Sequence, residues 1–327
     1  MSEAPAPEQL AATVRSGDRA GLARAITLIE SLREEDQDVA YEMLRLLMPA
    51  TGAAHRIAIS GPPGVGKSTL IDAFGLLLVE EGHKVAVLAI DPSSTLSRGS
   101  ILGDKSRMSK LAQEDMAFIR PSPSDLALGG VTRRTREAMF LCEAAGFDRI
   151  LVETVGVGQS EIQVASMVDS FVVLVQAGAG DELQGIKKGI LELADILVVA
   201  KADGENISRA RQAAAEVSAA MGYLKRESED WPTRVLSASA VSGEGLVELD
   251  ALLKEHFEVL TQSGKLRERR TRDLEDWLCQ LTEDAILRRA RIRDDVQSAV
   301  RQSVGDVARG TANALRTALQ LASAANS

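Results

Sequence analysis

Apolar residues recur along this chain in three rhythms, each predicting a different kind of structure. Over residues 1 to about 50, Leu22, Ile26 and Ile29 fall at i, i+4 and i+7, and Tyr41, Leu44, Leu46 and Leu47 form a second cluster before Pro49 and Gly52, which predicts helices. From Arg56 the rhythm changes to short runs bounded by Gly, Pro and Asp: 56–59, 84–90, 116–120, 149–152, 170–175, 196–200 and 234–237. Runs of this length with helical stretches between them predict an α/β fold with a doubly wound, mostly parallel sheet. The runs are apolar throughout, as expected where helices cover both faces of a sheet. After about Thr261 comes a basic stretch, Lys265-Leu-Arg-Glu-Arg-Arg-Thr-Arg272, and then Leu274, Trp277, Leu278 and Leu281 on one helical face. The expected division is a helical extension over 1–54, a sheet domain over 55–261 and a helical arm over 262–327. From the residues alone, the arm is either a surface helix of its own domain or a pairing element for a second subunit.

Composition narrows the classes of function. The 327 residues correspond to about two domains, and 45% hydrophobic with 26% charged residues excludes a chain that is disordered or fibrous throughout. Lys plus Arg number 38 against 47 Asp plus Glu, a net charge of -9, and aromatic residues make up 3%. Neither the charge nor the scarcity of stacking rings suits a nucleic-acid partner. The two cysteines, Cys142 and Cys279, have no Cys or His at ligand spacing beside them, so neither a disulfide framework nor a zinc site is expected, and a reducing cytoplasm fits. The first residues are acidic and rich in Pro and Ala, and no run approaches the roughly 18 apolar residues of a membrane span, so no membrane association is expected.

The strongest chemical signal follows the first apolar run. Gly61, Pro62, Pro63, Gly64, Val65, Gly66, Lys67 and Ser68, with Thr69 after them, satisfy G-x-x-x-x-G-K-[ST]. Glycines at this spacing let successive backbone N–H groups turn around a phosphate, and the helix that follows adds its positive end. Lys67 is expected to reach the β and γ phosphates and Ser68 to ligate Mg²⁺. Asp91 and Glu153 stand where parallel strands end, at the edge where such folds gather ligand groups, and are expected to serve metal and water. Asp91 before Pro is also an ordinary turn former. Gly156 is expected to offer its N–H to the γ-phosphate, and Asp104 is a further metal candidate.

Two later segments address the base. Lys201 and Asp203 close the run 196–200, and Ser239, Ala240 and Val241 follow the next run; together they resemble the guanine-reading N-K-x-D and S-A elements of G proteins. The Asp203 carboxylate can accept from guanine N1 and N2, and the Ala240 amide can meet O6. Ala200 stands where Asn is expected, which predicts a weakened but surviving preference for guanine.

In this order the elements resemble the MeaB/ArgK family of P-loop GTPases, chaperones of adenosylcobalamin-dependent methylmalonyl-CoA mutase. The resemblance runs from about Leu22 to about Leu253. It rests on 61–69, Asp91-Pro-Ser-Ser94, Gly99-Ser-Ile-Leu-Gly-Asp-Lys105 with Arg107 and Met108, Arg120-Pro-Ser-Pro-Ser124, Glu153-Thr-Val-Gly-Val-Gly-Gln-Ser-Glu161 and Gly180-Asp-Glu-Leu-Gln-Gly-Ile-Lys-Lys188. It implies a GTPase domain with helical extensions and a homodimer. Asp91, Asp104 and Glu153 would serve Mg²⁺ and the attacking water, and 156–161, including Gln159, would form one switch. Asp181, Glu182, Gln184 and Lys188 would belong to a second switch that reports GTP or GDP to the mutase. On the residues alone, Lys187 and Lys188 would be ordinary solvated lysines. Departures from the family pattern are Ala200, Gln176-Ala177 in place of Pro-Gly, and Asp125-Leu126-Ala127 in place of a Gly-rich turn. His55, His83 and His256 match no cobalamin-ligand motif and are expected as surface or packing residues. Two other readings share the P-loop: a metal-insertion GTPase, which would need a Cys/His cluster, and a kinase passing the γ-phosphoryl group to an acceptor.

Overall fold

The computed structural model describes residues 6–31, 33–91, 108–123, 130–154, 160–176, 188–222, 231–292, 294–309, 313 and 316–317. Seven strands form one sheet: β1 (His55–Ser60), β2 (Val85–Asp91), β3 (Ala117–Pro123), β4 (Arg149–Glu153), β5 (Ser170–Gln176), β6 (Ile196–Ala200) and β7 (Arg234–Ser237). Every pairing is parallel, in the order β3-β2-β4-β1-β5-β6-β7. The seven apolar runs are thus the seven strands, and the doubly wound parallel sheet is borne out. β2, β3 and β4 run on to Asp91, Pro123 and Glu153, because main-chain pairing continues past the last apolar side chain into the residues of the carboxyl edge.

Helices follow the strands in alternation: α1 (Pro7–Arg15), α2 (Arg19–Glu30) and α3 (Glu34–Leu47) precede the sheet. Then come α4 (Lys67–Glu80), α5 (Gly130–Ala144), α6 (Ser160–Met167), α7 (Lys188–Leu193), α8 (Ile207–Met221), α9 (Leu246–Gln262), α10 (Lys265–Ile292) and α11 (Asp294–Ala308). Alternate strand residues feed two cores, as a period of two requires. Ala58, Ile150, Val152 and Val173 pack with α5 to α8 and with the three leading helices, and Ile57, Ile59, Leu151 and Leu174 pack with α4 and α9. The leading helices lie against α5, whose residues Thr135, Arg136 and Glu137 are each 1% exposed. Asp18 caps α2 by accepting from the Gly21 amide at 2.7 Å, and Arg120 of β3 binds Glu30 of α2 at 2.5 Å. A cap of this kind is worth about 1 kcal/mol.

The chain divides into two compact units, Met1–Thr271 and Arg272–Ser327. The first contains the sheet and the first two turns of α10. In the second, α10 carries exposed Leu274, Leu278 and Ile286, and α11 carries exposed Val300 and Val304.

Candidate functional site

The P-loop spans the gap between the carboxyl end of β1 and the first turn of α4. Two of its glycines are required by geometry. Gly61 has φ +147, and a Cβ there would lie 2.6 Å from the Leu174 carbonyl oxygen of β5. Gly66 takes φ +107 at the N-cap of α4, a conformation that L side chains rarely adopt. Val65 is buried in the core shared with α4, which pins the loop's middle.

Lys67 turns back over the loop. Its Nζ donates to the carbonyl oxygens of Gly61 at 2.8 Å and Pro62 at 3.1 Å, with the side chain almost wholly enclosed. Ser68 donates its hydroxyl to Glu153 Oε1 at 2.7 Å. That contact follows from topology: β4 pairs with β1, Glu153 sits in register with Ile59, and alternation turns its side chain to the face covered by α4. A hydroxyl and a carboxylate oxygen side by side form a hard donor set of the kind Mg²⁺ takes along with waters and phosphate oxygens, so these residues fit that ion. Asp91 ends β2 two residues beyond Ala89, which is in register with Glu153, so its backbone lies on the same edge. The Asp91 and Lys188 side chains lie outside the described residues, as do Asp104, Gly156, Gln159, Asp181, Glu182 and Gln184. Among the described residues no group of three or more His, Cys, Asp or Glu is arranged to hold a metal ion.

The base-reading segments come to the same edge from β6 and β7. Lys201 has φ +60, the one non-glycine positive φ among the described residues. That turn sends its side chain across to the P-loop, where Nζ donates to the Gly64 carbonyl oxygen at 2.9 Å. Asp203 is held by the buried Ser239, whose hydroxyl donates to Oδ2 at 2.6 Å and itself accepts from the Val241 and Ser242 amides at 3.1 Å each. The structure therefore brings Gly61 to Thr69, Glu153, Lys201, Asp203, Ser239, Ala240 and Val241 to one edge of the sheet. Ala200 is 4% exposed and packs in the core that also holds Val65 and Ala238. Gly245 was not singled out by the sequence reading. It has φ +81, and a Cβ there would lie 2.3 Å from the Ser237 carbonyl oxygen, so it fixes the turn that presents 239–241. Its spacing after Ser239 carried no motif by which to find it.

The opposite, amino edge holds a second polar cluster, in which His55, Arg56, Asp169, Ser170 and His256 are buried and Arg270 is half-buried. His55 Nε2 and His256 Nδ1 each lie 2.8 Å from Ser170 Oγ, and burial holds His55 down at about 3. Burial pushes the Asp169 carboxyl up, but the hydrogen bonds and charge of Arg270, with Arg56 nearby, leave it below its ordinary value. Both histidines are packing residues, as expected. His83 is half-buried beside Asp148.

Comparison with known proteins places these features in context. Residues 22–295 match the family model of the methylmalonyl Co-A mutase-associated GTPase MeaB. A probable GTPase of Mycobacterium tuberculosis is 54% identical over 89% of this chain and 89% of its own length. The GTPase ArgK of Escherichia coli K12 is 46% identical over 89% and 88%. The mitochondrial methylmalonic aciduria type A homolog of Mus musculus is 44% identical over 87% of this chain and 71% of its own. Among solved structures, that of an LAO/AO transport system kinase is 38% identical with a TM-score of 0.75, covering 100% of this chain and 99% of the other.

Proposed function

From the premise that this chain belongs to the MeaB family of methylmalonyl-CoA mutase-associated GTPases and hydrolyses GTP, we propose that it is a chaperone of an adenosylcobalamin-dependent methylmalonyl-CoA mutase. In this reading it gates cofactor loading and protects or reactivates the mutase. The observation that carries the nucleotide chemistry is the adjacency of Lys67, Ser68 and Glu153 at the junction of β1, β4 and α4.

Each residue has a physical role in this reading. The P-loop amides and the N-terminus of α4 bind the phosphates, and Lys67 exchanges two carbonyl contacts for phosphate oxygens. Ser68, Asp91, Asp104 and Glu153 hold Mg²⁺, which when bound neutralises charge on the β and γ phosphates. Glu153 and the Gly156 amide orient the attacking water and the γ-phosphate. Lys201, Asp203 and the loop 239–241 select guanine. Segment 156–161, and the 181–188 segment with Asp181, Glu182, Gln184 and Lys188, change with hydrolysis and report it to the mutase, since contacts to a γ-phosphate are lost when it leaves. Segment 61–69 itself contains no arginine to act as a finger in cis, so intrinsic turnover is slow and the partner completes the site.

The chain acts as a cytoplasmic homodimer paired through 262–327. This is supported by Leu274, Leu278 and Leu281, at i, i+4 and i+7 on one face of α10, of which Leu274 and Leu278 are exposed in the described unit. No helix among the described residues is long and apolar enough to cross a membrane.

The test is GTP turnover by the pure protein with and without stoichiometric mutase, with ATP as the control nucleotide. Acceleration confined to GTP supports base and partner together. Slow GTP turnover that the mutase leaves unchanged overturns the partner. The name of the kinase structure prompts a second arm: γ-phosphate label on an acceptor, rather than in free phosphate, would favour phosphoryl transfer.

A further inference from the structure

Thr154 follows Glu153 at the carboxyl end of β4. Its amide donates to the Ile59 carbonyl oxygen at 3.2 Å, which carries the β1–β4 register one step past Ile59 and Glu153 and sets Thr154 beside Ser60. Alternation turns its side chain away from α4, to the face where Ile150 and Val152 join the core of α5 to α8. Thr154 is 1% exposed, and its Oγ1 has no hydrogen-bond partner among the described residues. Valine has the same shape and would fill that place without a polar atom. A buried hydroxyl left unanswered destabilises a fold, and native proteins rarely carry one without a reason.

The complementary group lies at the end of the neighbouring strand. Gly61 follows Ser60 directly, and its carbonyl oxygen accepts from Lys67 Nζ at 2.8 Å in a buried position. The Pro62 carbonyl oxygen accepts from the same Nζ at 3.1 Å, in a part-buried one. When Lys67 turns to the phosphates, both oxygens lose that donor. Pro62 can take solvent in its place, whereas a buried carbonyl oxygen needs another partner. Gly61 cannot turn away to find one, because its Cα is packed so close to the Leu174 carbonyl oxygen that even a Cβ would lie 2.6 Å from it.

We infer that Thr154 is a positioning residue for nucleotide binding. Once Lys67 has moved to phosphate, the Thr154 hydroxyl donates to the Gly61 carbonyl oxygen, directly or through one water molecule. It touches no phosphate itself and acts by holding the first turn of the P-loop in the form that Lys67 has vacated. The inference rests on the Lys67 exchange proposed above.

The test uses the full-length chain, with Thr154→Val to remove the hydroxyl and Thr154→Ser to keep it. Without nucleotide, Thr154→Val should melt no lower than wild type, since it deletes a group that has no partner there. Its affinity for GDP and for a non-hydrolysable GTP analogue, by calorimetry with Mg²⁺, should fall about tenfold, and that of Thr154→Ser should stay within about threefold of wild type. A Thr154→Val chain that melts lower without nucleotide, or does not fold, while Thr154→Ser behaves as wild type would mean that the hydroxyl serves the fold, and would overturn the inference. Wild-type affinities in Thr154→Val, or equal losses in both variants, would overturn it as well. A double-mutant cycle gives an independent reading. In a Lys67→Ala chain the Gly61 oxygen has already lost its lysine, so adding Thr154→Val should now lower the nucleotide-free melting temperature by about 2–4 °C; no further loss would count against the pairing. Lys67→Ala binding both nucleotides as wild type does would instead sink the Lys67 exchange and the inference with it, a result distinct from a Thr154 that bound nucleotide ignores.

Discussion

The two ends of one sheet carry polar clusters built on opposite principles. At the amino edge, Arg56 and Glu143 and the His55–Ser170–His256 bridge are buried and answer one another side chain to side chain, and half-buried Arg270 closes on the buried Asp169 carboxylate as well as on the Gly52 and Ala54 carbonyl oxygens. At the carboxyl edge, Lys67 and Lys201 are answered by loop carbonyl oxygens, and Ser68 by a single carboxylate oxygen. Contacts of the second kind can be exchanged for phosphate oxygens without orphaning a buried charge. The first kind cannot be opened without leaving a charge in the dry interior. Charge density alone therefore does not mark a site; what marks it is that the charges are held by groups able to let them go.

This contrast can be broken most decisively at its two lysine and arginine poles. Lys67→Ala is expected to lower GTP turnover by about 10² or more, since it removes a preorganised cation from developing phosphate charge, while leaving the melting temperature nearly unchanged. Arg56→Met should do the reverse. It leaves Glu143, 1% exposed, without its 2.6 Å partner, a loss of about 3–5 kcal/mol in urea unfolding, with turnover per folded molecule retained. Pairing it with Glu143→Leu should recover most of that loss. Equal effects of both single variants on turnover would dissolve the distinction.

Acid sharpens the comparison next, because the amino edge holds a histidine that burial keeps at about 3 against an ordinary 6.5. The unfolded chain binds a proton there below about pH 6.5 and the folded chain does not until far lower. Its contribution to stability is complete above that pH and is lost as pH falls toward 3, with a slope of up to about 1.4 kcal/mol per pH unit. Asp169, held below its ordinary 3.8, adds a loss of the same sign below that value. Urea midpoints between pH 7 and pH 4 should fall accordingly. His55→Phe keeps a ring against Phe257 and should flatten the curve; an unaltered slope would assign the acid sensitivity to other groups.

The same contrast explains what could be read from the chain. A parallel strand covered on both faces must be apolar throughout, so all seven announced themselves as runs. The P-loop did so because phosphate binding fixes both residue type and spacing along one stretch. The amino edge has no such spacing: Gly52, His55, Asp169, Ser170, Asp195, His256 and Arg270 are ordinary residues scattered over the chain, and only the fold makes them neighbours. Arg136 and Glu137 were unreadable for a related reason. They are polar in sequence, yet α5 lies between the sheet and the leading helices, and they are buried there. Among the base-reading residues, Asp203 and Lys201 were legible, while the Ser239 hydroxyl that holds Asp203 and the crowding that demands glycine at 245 required coordinates.

The smallest expected effect lies at Ala200, where the carboxyl edge departs from the pattern its neighbours follow. Ala200 ends β6 immediately before Lys201, and its Cβ is enclosed in the core with Val65 and Ala238. A side-chain amide there would add hydrogen bonds worth about 0.5–1.5 kcal/mol each, offset in part by the room it must make among close-packed neighbours. Ala200→Asn should therefore raise the preference for GDP over ADP by about two- to tenfold in competition titration. A larger gain would mean that the guanine site is open without it. No gain would mean that the Lys201 bridge to Gly64 and the Ser239 clamp on Asp203 already hold the base-reading loops at their full rigidity, so that alanine at this position costs the protein nothing in recognition.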